Sequence, residues 1–278
     1  MTQRLTDLSA LEAHRKRASP GPVSDLHRTV RNELIERLSG VNKSFRSPVV
    51  VTPFAGVWHG ALDGAQVGPP TDVLALGAGR HDLVVHAFAL HWADDPLGQL
   101  IQCRRALRPD GLFLAATPGG RTLTELRGVL AEAETQIRGG LSPRVAPMAE
   151  IRDLGALLQR AGFAMPVADA EAINLTYGSL GDLMRDLRAV GETNALRDRD
   201  RRPPPRALFE TAERLYAERF PAPDGRIQVT IEMIYLAGWA PSPEQPKALR
   251  PGSATARLAD ALGTTEQDPG SSAPPARD

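Results

Sequence analysis

Residues 81–120, HDLVVHAFALHWADDPLGQLIQCRRALRPDGLFLAATPGG, parse as strand, loop, helix, turn and strand. His81–Ala89 is a short apolar run of the kind buried on both faces of a parallel sheet. Asp95-Pro96 supplies an N-cap and a proline at the first helical position. Leu97, Leu100, Ile101 and Leu107 then recur at near-helical spacing, with Arg104, Arg105 and Arg108 largely on the other side. Pro109-Asp110-Gly111 reads as a turn that stops the helix, and Leu112–Thr117 as a second apolar strand. The simplest arrangement is a parallel strand-helix-strand crossover.

Working outward, Leu26, Val30, Leu34 and Leu38 place a helix before a first strand, PVVVTPF at 48–54. Between Gly56 and His81 there are 24 residues. A strand-helix-strand crossover takes upwards of ~30 residues, so this half of the sheet is expected to be shortened. DVLALGAGR at 72–80 imitates a strand followed by Gly-x-Gly, but the next strand begins directly at His81, leaving no room for the helix that motif requires. Gly77 and Gly79 are therefore read as a turn between extended segments; a nucleotide role would imply a nicotinamide-dependent reductase. Downstream, helices are expected over Leu123–Ile137, Ile151–Ala161 (closed by Gly162), Leu180–Val190 (closed by Gly191) and Arg206–Arg219. FAMPVADAEAINLTY should hold a late strand, and Ile227–Leu236 alternates as an antiparallel strand near a sheet edge. RDRDRRPPPR at 197–206 is read as a surface connection. The tail from Thr264 has the composition of disorder, and residues 1–24 read as a flexible arm whose HRKR is a solvated helix end.

The motifs carry a resemblance. DLVVHAFALHWADDP followed by LRPDGLFLAATPGG resembles the fourth and fifth strands of S-adenosylmethionine-dependent methyltransferases of class I, type 11. TLTELRGVLAEAE, GGLSPRVAPM, EIRDLGALLQRAGFAMPVAD, GETNAL and GSATARLADAL resemble the methyltransferase-like assembly factors of respiratory complex I and their alphaproteobacterial relatives. The resemblance spans about Asp25 to Gly263. It implies an α/β Rossmann-like methyltransferase sheet, shortened in its N-terminal half, with antiparallel closing strands and an α+β C-terminal extension. The expected divisions are an arm (1–24), a truncated SAM-binding-type core (25–118), a C-terminal half completing the sheet (119–263) and a tail (264–278). The implied cofactor is S-adenosylmethionine and the implied partner a respiratory complex I subunit, which some relatives hydroxylate on arginine rather than methylate.

The family's glycine turn after strand one is where this chain departs. Thr52-Pro53-Phe54-Ala55-Gly56 offers one glycine, Gly56, and sets an aromatic ring where the cofactor chain should lie. Thr52, Gly56, Asp72, His91 and Trp92 are the candidate cofactor residues. Asp72 reaches a ribose only if it ends a short second strand, and is otherwise a turn aspartate. His91 and Trp92 close the strand at 81–89, on the edge where open α/β sheets bind ligands; packing of Trp92 and backbone bonding of His91 is the equal alternative. Asp94 and Asp95 read as helix caps rather than an acid-base pair. Arg144, Glu192 and Asn194 lie in polar, Gly/Pro-punctuated segments and suit either partner contacts or capping and salt bridges. No catalytic residue is singled out.

Composition narrows the field. Lys+Arg and Asp+Glu are equal at 33, which gives no global field for nucleic acid. A single Cys103 excludes an internal disulfide and fits a core position. His81, His86 and His91, spaced by five, fall on alternating faces of a strand and are not a metal set. No run approaches the ~20 apolar residues of a transmembrane helix, and no apolar segment follows the basic residues of the N-terminus. A cytoplasmic protein is expected, with peripheral association at the inner membrane left open. Two roles compete: a SAM-dependent methyltransferase-like enzyme, and a non-catalytic assembly protein on a degenerate scaffold.

Overall fold

The computed structural model describes residues 4–18, 25–246 and 257–264. The described residues up to Ser242 form one unit around a six-stranded sheet. Its strands are β1 (Pro48–Val51), β2 (Gln66–Gly68), β3 (His81–Ala87), β4 (Leu107–Pro118), β5 (Ala164–Tyr177) and β6 (Ile227–Trp239), in the order β2-β1-β3-β4-β6-β5. β2, β1, β3 and β4 are parallel, and β6 lies antiparallel between β4 and β5. This is the methyltransferase sheet, one antiparallel strand inserted near the end of a parallel run.

The central unit forms as its sequence dictates. β3 is buried at every residue but Asp82, whose carboxylate accepts from the backbone N–H groups of Arg46 (2.7 Å) and Ser47 (2.9 Å) and so fixes the entry to β1. Helix α4 (Pro96–Ala106) starts at Asp95, which accepts from Gly98 N at 2.8 Å. Its apolar stripe, Leu100, Cys103 and Ala106, packs with Phe113, which stacks on Phe163 at 4.8 Å between centroids. Burial drives the Cys103 thiol up to about 12, so it is an inert core residue. The expected turn at 109–111 is instead a kink within β4. The strand begins at Leu107, opposite His81, and Asp110 takes a left-handed conformation (φ 59°) where the register slips.

One face of the sheet carries α2 (Asp25–Ser39), α3 (Ala55–Trp58), α5 (Thr124–Arg138), α7 (Leu180–Ala189) and α8 (Arg206–Arg219); the other carries α4 and α6 (Ile151–Ala161). Shortening of the first half is visible directly: between β1 and β3 there is one helical turn, α3, and the three-residue β2. VLAL at 73–76 is not a strand, and no helix follows Gly79, whose N–H donates to Arg105 O at 2.9 Å as the chain enters β3. That removes the reductase reading.

Within the stretch read as a flexible arm, residues 4–18 are instead folded. Helix α1 (Leu8–Arg17) buries Leu11 against Trp92, Ala146, Ala195 and Leu196. Past residue 243, the described residues hold a short helix, α9 (Leu258–Leu262). The disordered tail expected after Thr264 lies outside the described residues.

Candidate functional site

In an open α/β sheet the ligand crevice lies at the C-terminal ends of the strands, where the order reverses. Here the chain runs from β1 outward to β2 and then inward to β3, so the switch point lies between β1 and β3. That crevice is closed by aromatic rings. Phe54, just after β1, meets His27 of α2 at 4.0 Å between centroids; His27 meets Phe88, just after β3, at 4.4 Å; and Phe54 and Phe88 contact edge-on at 5.9 Å. His27 is buried, and desolvation lowers its imidazole from 6.5 to about 4, so it is a neutral ring at pH 7.

Beside this closure a cavity of about 300 Å³ opens at the C-terminal ends of β3 and β4. His27 and Phe88 form part of its wall, with Leu123 and Leu126 near the start of α5 and Leu183 and Leu187 of α7. Its polar end comes from the turn after β3 and from residues 190–194. His91 and Trp92 point at one carboxylate: Trp92 Nε1 donates to Glu192 Oε2 at 2.6 Å, and His91 Nε2 donates to the same oxygen at 3.2 Å. Burial opposes the charge on Glu192, but His91, Arg15 and the Trp92 N–H outweigh it and hold the carboxyl down at about 2. The opposite wall, 139–148, is pinned by Glu134. This buried carboxylate accepts from Ser142 N and Oγ and from the Arg144 guanidinium.

Of the expected residues, His91 and Trp92 line the cavity; the backbone bond considered for His91 is replaced by one to the Glu192 carboxylate, which Trp92 shares. Arg144, Glu192 and Asn194 line it too, although Asn194 also donates to Pro143 O at 2.8 Å. Thr52, Gly56 and Asp72 are not brought there. Thr52 is buried, its Oγ1 accepting from Phe54 N in a local turn. Gly56 is exposed on α3, with open space where a side chain would be. Asp72 sits on an exposed loop 3.9 Å from Arg4 and does not end β2, which stops at Gly68 before Pro69-Pro70. His27, Phe88 and Arg15 were missed; the sequence signal for His27 was its place three residues before Val30 on the buried face of α2. His81, His86 and His91 go to separate partners, Ser47 O, Gln99 Oε1 and Glu192. Among the described residues no group of three ligating side chains is placed to hold a metal, and no helix is long and apolar enough to cross a membrane.

These residues do not fit S-adenosylmethionine. A bound nucleoside needs a turn whose backbone approaches it closely and a polar group for the ribose. At the switch point the chain offers three packed rings, and no carboxylate at the end of β2.

Comparison with known proteins agrees with the fold. Residues 60–115 match the methyltransferase domain family. The chain is 37% identical over 220 residues to the human protein named arginine-hydroxylase NDUFAF5, mitochondrial, covering 77% of this chain and 62% of the relative. The zebrafish counterpart (Danio rerio) is 37% identical over 179 residues, 64% of this chain and 56% of the relative. A malonyl-[acyl-carrier protein] O-methyltransferase of Laribacter hongkongensis is 37% identical over 188 residues, 68% of this chain and 61% of the relative. Among solved structures, a methyltransferase-type protein of Bacillus halodurans aligns with a TM-score of 0.47 at 13% identity, over 76% of this chain and 99% of that one. In its sheet and in the matched residues 60–115 the chain is similar to class I S-adenosylmethionine-dependent methyltransferases. It is similar to the proteins named arginine-hydroxylase NDUFAF5, and it spans about half of the length of those relatives.

Proposed function

We propose that this chain is a binding protein for a respiratory complex I subunit, built on a methyltransferase scaffold that does not use S-adenosylmethionine. The observation that carries this reading is the contact of His27, Phe54 and Phe88 at the β1/β3 switch point. It fills the donor side of the fold while the acceptor side, at the ends of β3 and β4, keeps a cavity. The relatives' name points to arginine as the group recognised, and the cavity's chemistry suits a basic side chain. Apolar walls take the methylenes, and the charged Glu192 carboxylate takes the cationic head. Location follows from the partner: the cell interior, at the face of the membrane complex.

The competing reading, methyl transfer from S-adenosylmethionine, rests on the matched domain and on the O-methyltransferase relatives. It requires the Phe54 ring to leave the crevice. Titration calorimetry of the purified chain separates the two, with S-adenosylmethionine and S-adenosylhomocysteine as ligands and NADH as control. No heat of binding is expected from any of them. Peptides tiling the complex I subunits, probed on the immobilised protein, should include an arginine-bearing segment that is retained by the native chain and lost with Glu192→Gln. Micromolar binding of S-adenosylmethionine overturns the reading.

A further inference from the structure

Helix α1 is held unevenly. Its approach is stapled to two segments of the cavity's polar end: Asp7 N donates to Ala195 O at 2.8 Å, Arg197 N to Leu5 O at 2.9 Å, and Leu5 N and Thr6 N both to Asp94 Oδ1 at 2.9 Å. Thr6 Oγ1 donates to Trp92 O at 3.0 Å, and Leu11 is buried beside the Trp92 ring. The last turn is held by less: the His14 ring meets the Thr193 backbone, and Arg15 faces Glu192. Arg15 brings its guanidinium to 3.8 Å from Glu192 Oε1, too far for a hydrogen bond. Arg15 Nε and Nη2 and Glu192 Oε1 are all buried without a hydrogen-bond partner among the described residues. Glu192 is bonded through Oε2 alone, and an ion-pair contact whose facing atoms, Arg15 Nη2 and Glu192 Oε1, lack hydrogen bonds recovers little of its desolvation cost. Yet the approach is close: a Cβ built on Gly191, itself at φ 76°, would lie 3.0 Å from Arg15 Cα. The turn therefore packs backbone to backbone on the loop that carries Glu192.

We infer that the last turn of α1 is a displaceable cover, with Arg15 standing on Glu192 in place of the basic group of the bound partner. This inference rests on the proposed use of the cavity. The hinge lies near Leu11: residues 5–11 stay stapled while residues 14–18 lift. An incoming guanidinium that reaches Oε1 with hydrogen bonds replaces an unbonded contact by a bonded one, which is the differential affinity a displacement needs.

The test uses the full chain and N-acetyl-arginine N-methylamide as the probe, measured by calorimetry and by hydrogen exchange of the α1 amides. Arg15→Met keeps the alkyl packing and removes the competing charge. It should bind the probe roughly tenfold more tightly than the native chain, because the fraction of competent sites rises. In the native chain the probe should speed exchange at residues 14–18 and leave residues 8–11 unchanged. If Arg15→Met does not fold, Arg15→Gln, which also removes the charge, should give the same gain. Equal affinity in native and variant chains, with α1 exchange unmoved by the probe, overturns the cover and leaves the cavity reading standing. Binding to neither overturns the cavity reading, and the cover with it.

Discussion

Replacing His27 by phenylalanine should make the protein less sensitive to acid without opening the crevice. His27 is buried between Phe54 and Phe88, and desolvation holds its imidazole neutral down to about 4. Glu192 and Asp186 oppose this shift and His91 adds to it, but burial dominates. An unfolded histidine titrates near 6.5. Between those two values the unfolded chain binds the extra proton, so stability falls as the pH drops through that window. With these pKa values, linkage gives a loss of about 2 kcal/mol per such histidine between pH 7 and pH 5. His86 is a second one: it is fully buried, bonded to Gln99 and likewise lowered to about 4. Urea unfolding of the native chain at the two pH values should therefore show the sum of both terms. His27→Phe should show a loss smaller by about 2 kcal/mol, with His86 still contributing. The phenyl ring keeps the stack, so stability at pH 7 should change little. If the variant loses as much stability as the native chain over this range, His27 is not held neutral by burial and the closed crevice is wrongly drawn.

Two further outcomes follow from the same packing. Phe54→Ala should cost about 1–2 kcal/mol in urea unfolding, less than the ~3–5 of a fully buried phenylalanine because Phe54 is only part-buried. It should still give no calorimetric response to S-adenosylhomocysteine, since truncating one ring does not create a glycine turn. Glu134→Gln should free the 139–148 wall by weakening its bonds to Ser142 and Arg144, at a cost of about 2–3 kcal/mol. Limited proteolysis should then cut near Leu141, which is already exposed.

Much of the fold was legible because its decisive segments are governed locally. The unit at 81–120 is buried on both faces and capped by Asp95-Pro96, and α6 and α8 end where their periodicity ends. The shortening of the first half followed from counting 24 residues. β2 was illegible because it is three exposed or half-exposed residues, QVG, that become a strand only by pairing with β1. The apolar VLAL looked like the better strand, but its Leu74 packs into the α4 side of the core from a loop. The folding of residues 4–18 depends on partners 88 and 89 positions away at Asp94 and further still at Ala195, which no local pattern announces. His91 and Trp92 could be placed at the cavity's edge from sequence because a strand end is a place defined by the fold. Thr52, Gly56 and Asp72 were placed by analogy to a turn whose shape this chain does not keep.

The closed crevice and the cavity are not independent features. His27 and Phe88 belong to both: they complete the stack with Phe54 on one side and line the cavity on the other. A nucleoside at the switch point would have to push His27 and Phe88 toward the space that a side chain from a partner would fill. In a methyltransferase the two ligands must lie side by side, because the fold's contribution is to align donor and acceptor. Here the wall between the two positions is made of the rings that occupy the first. The same residues that close the switch point thus give the neighbouring cavity a back wall, with Glu192 at its polar end. On the proposed reading, the rings that close the crevice are also what gives the binding cavity its shape. The proposed binding role thus accounts for the closed switch point and the open cavity together.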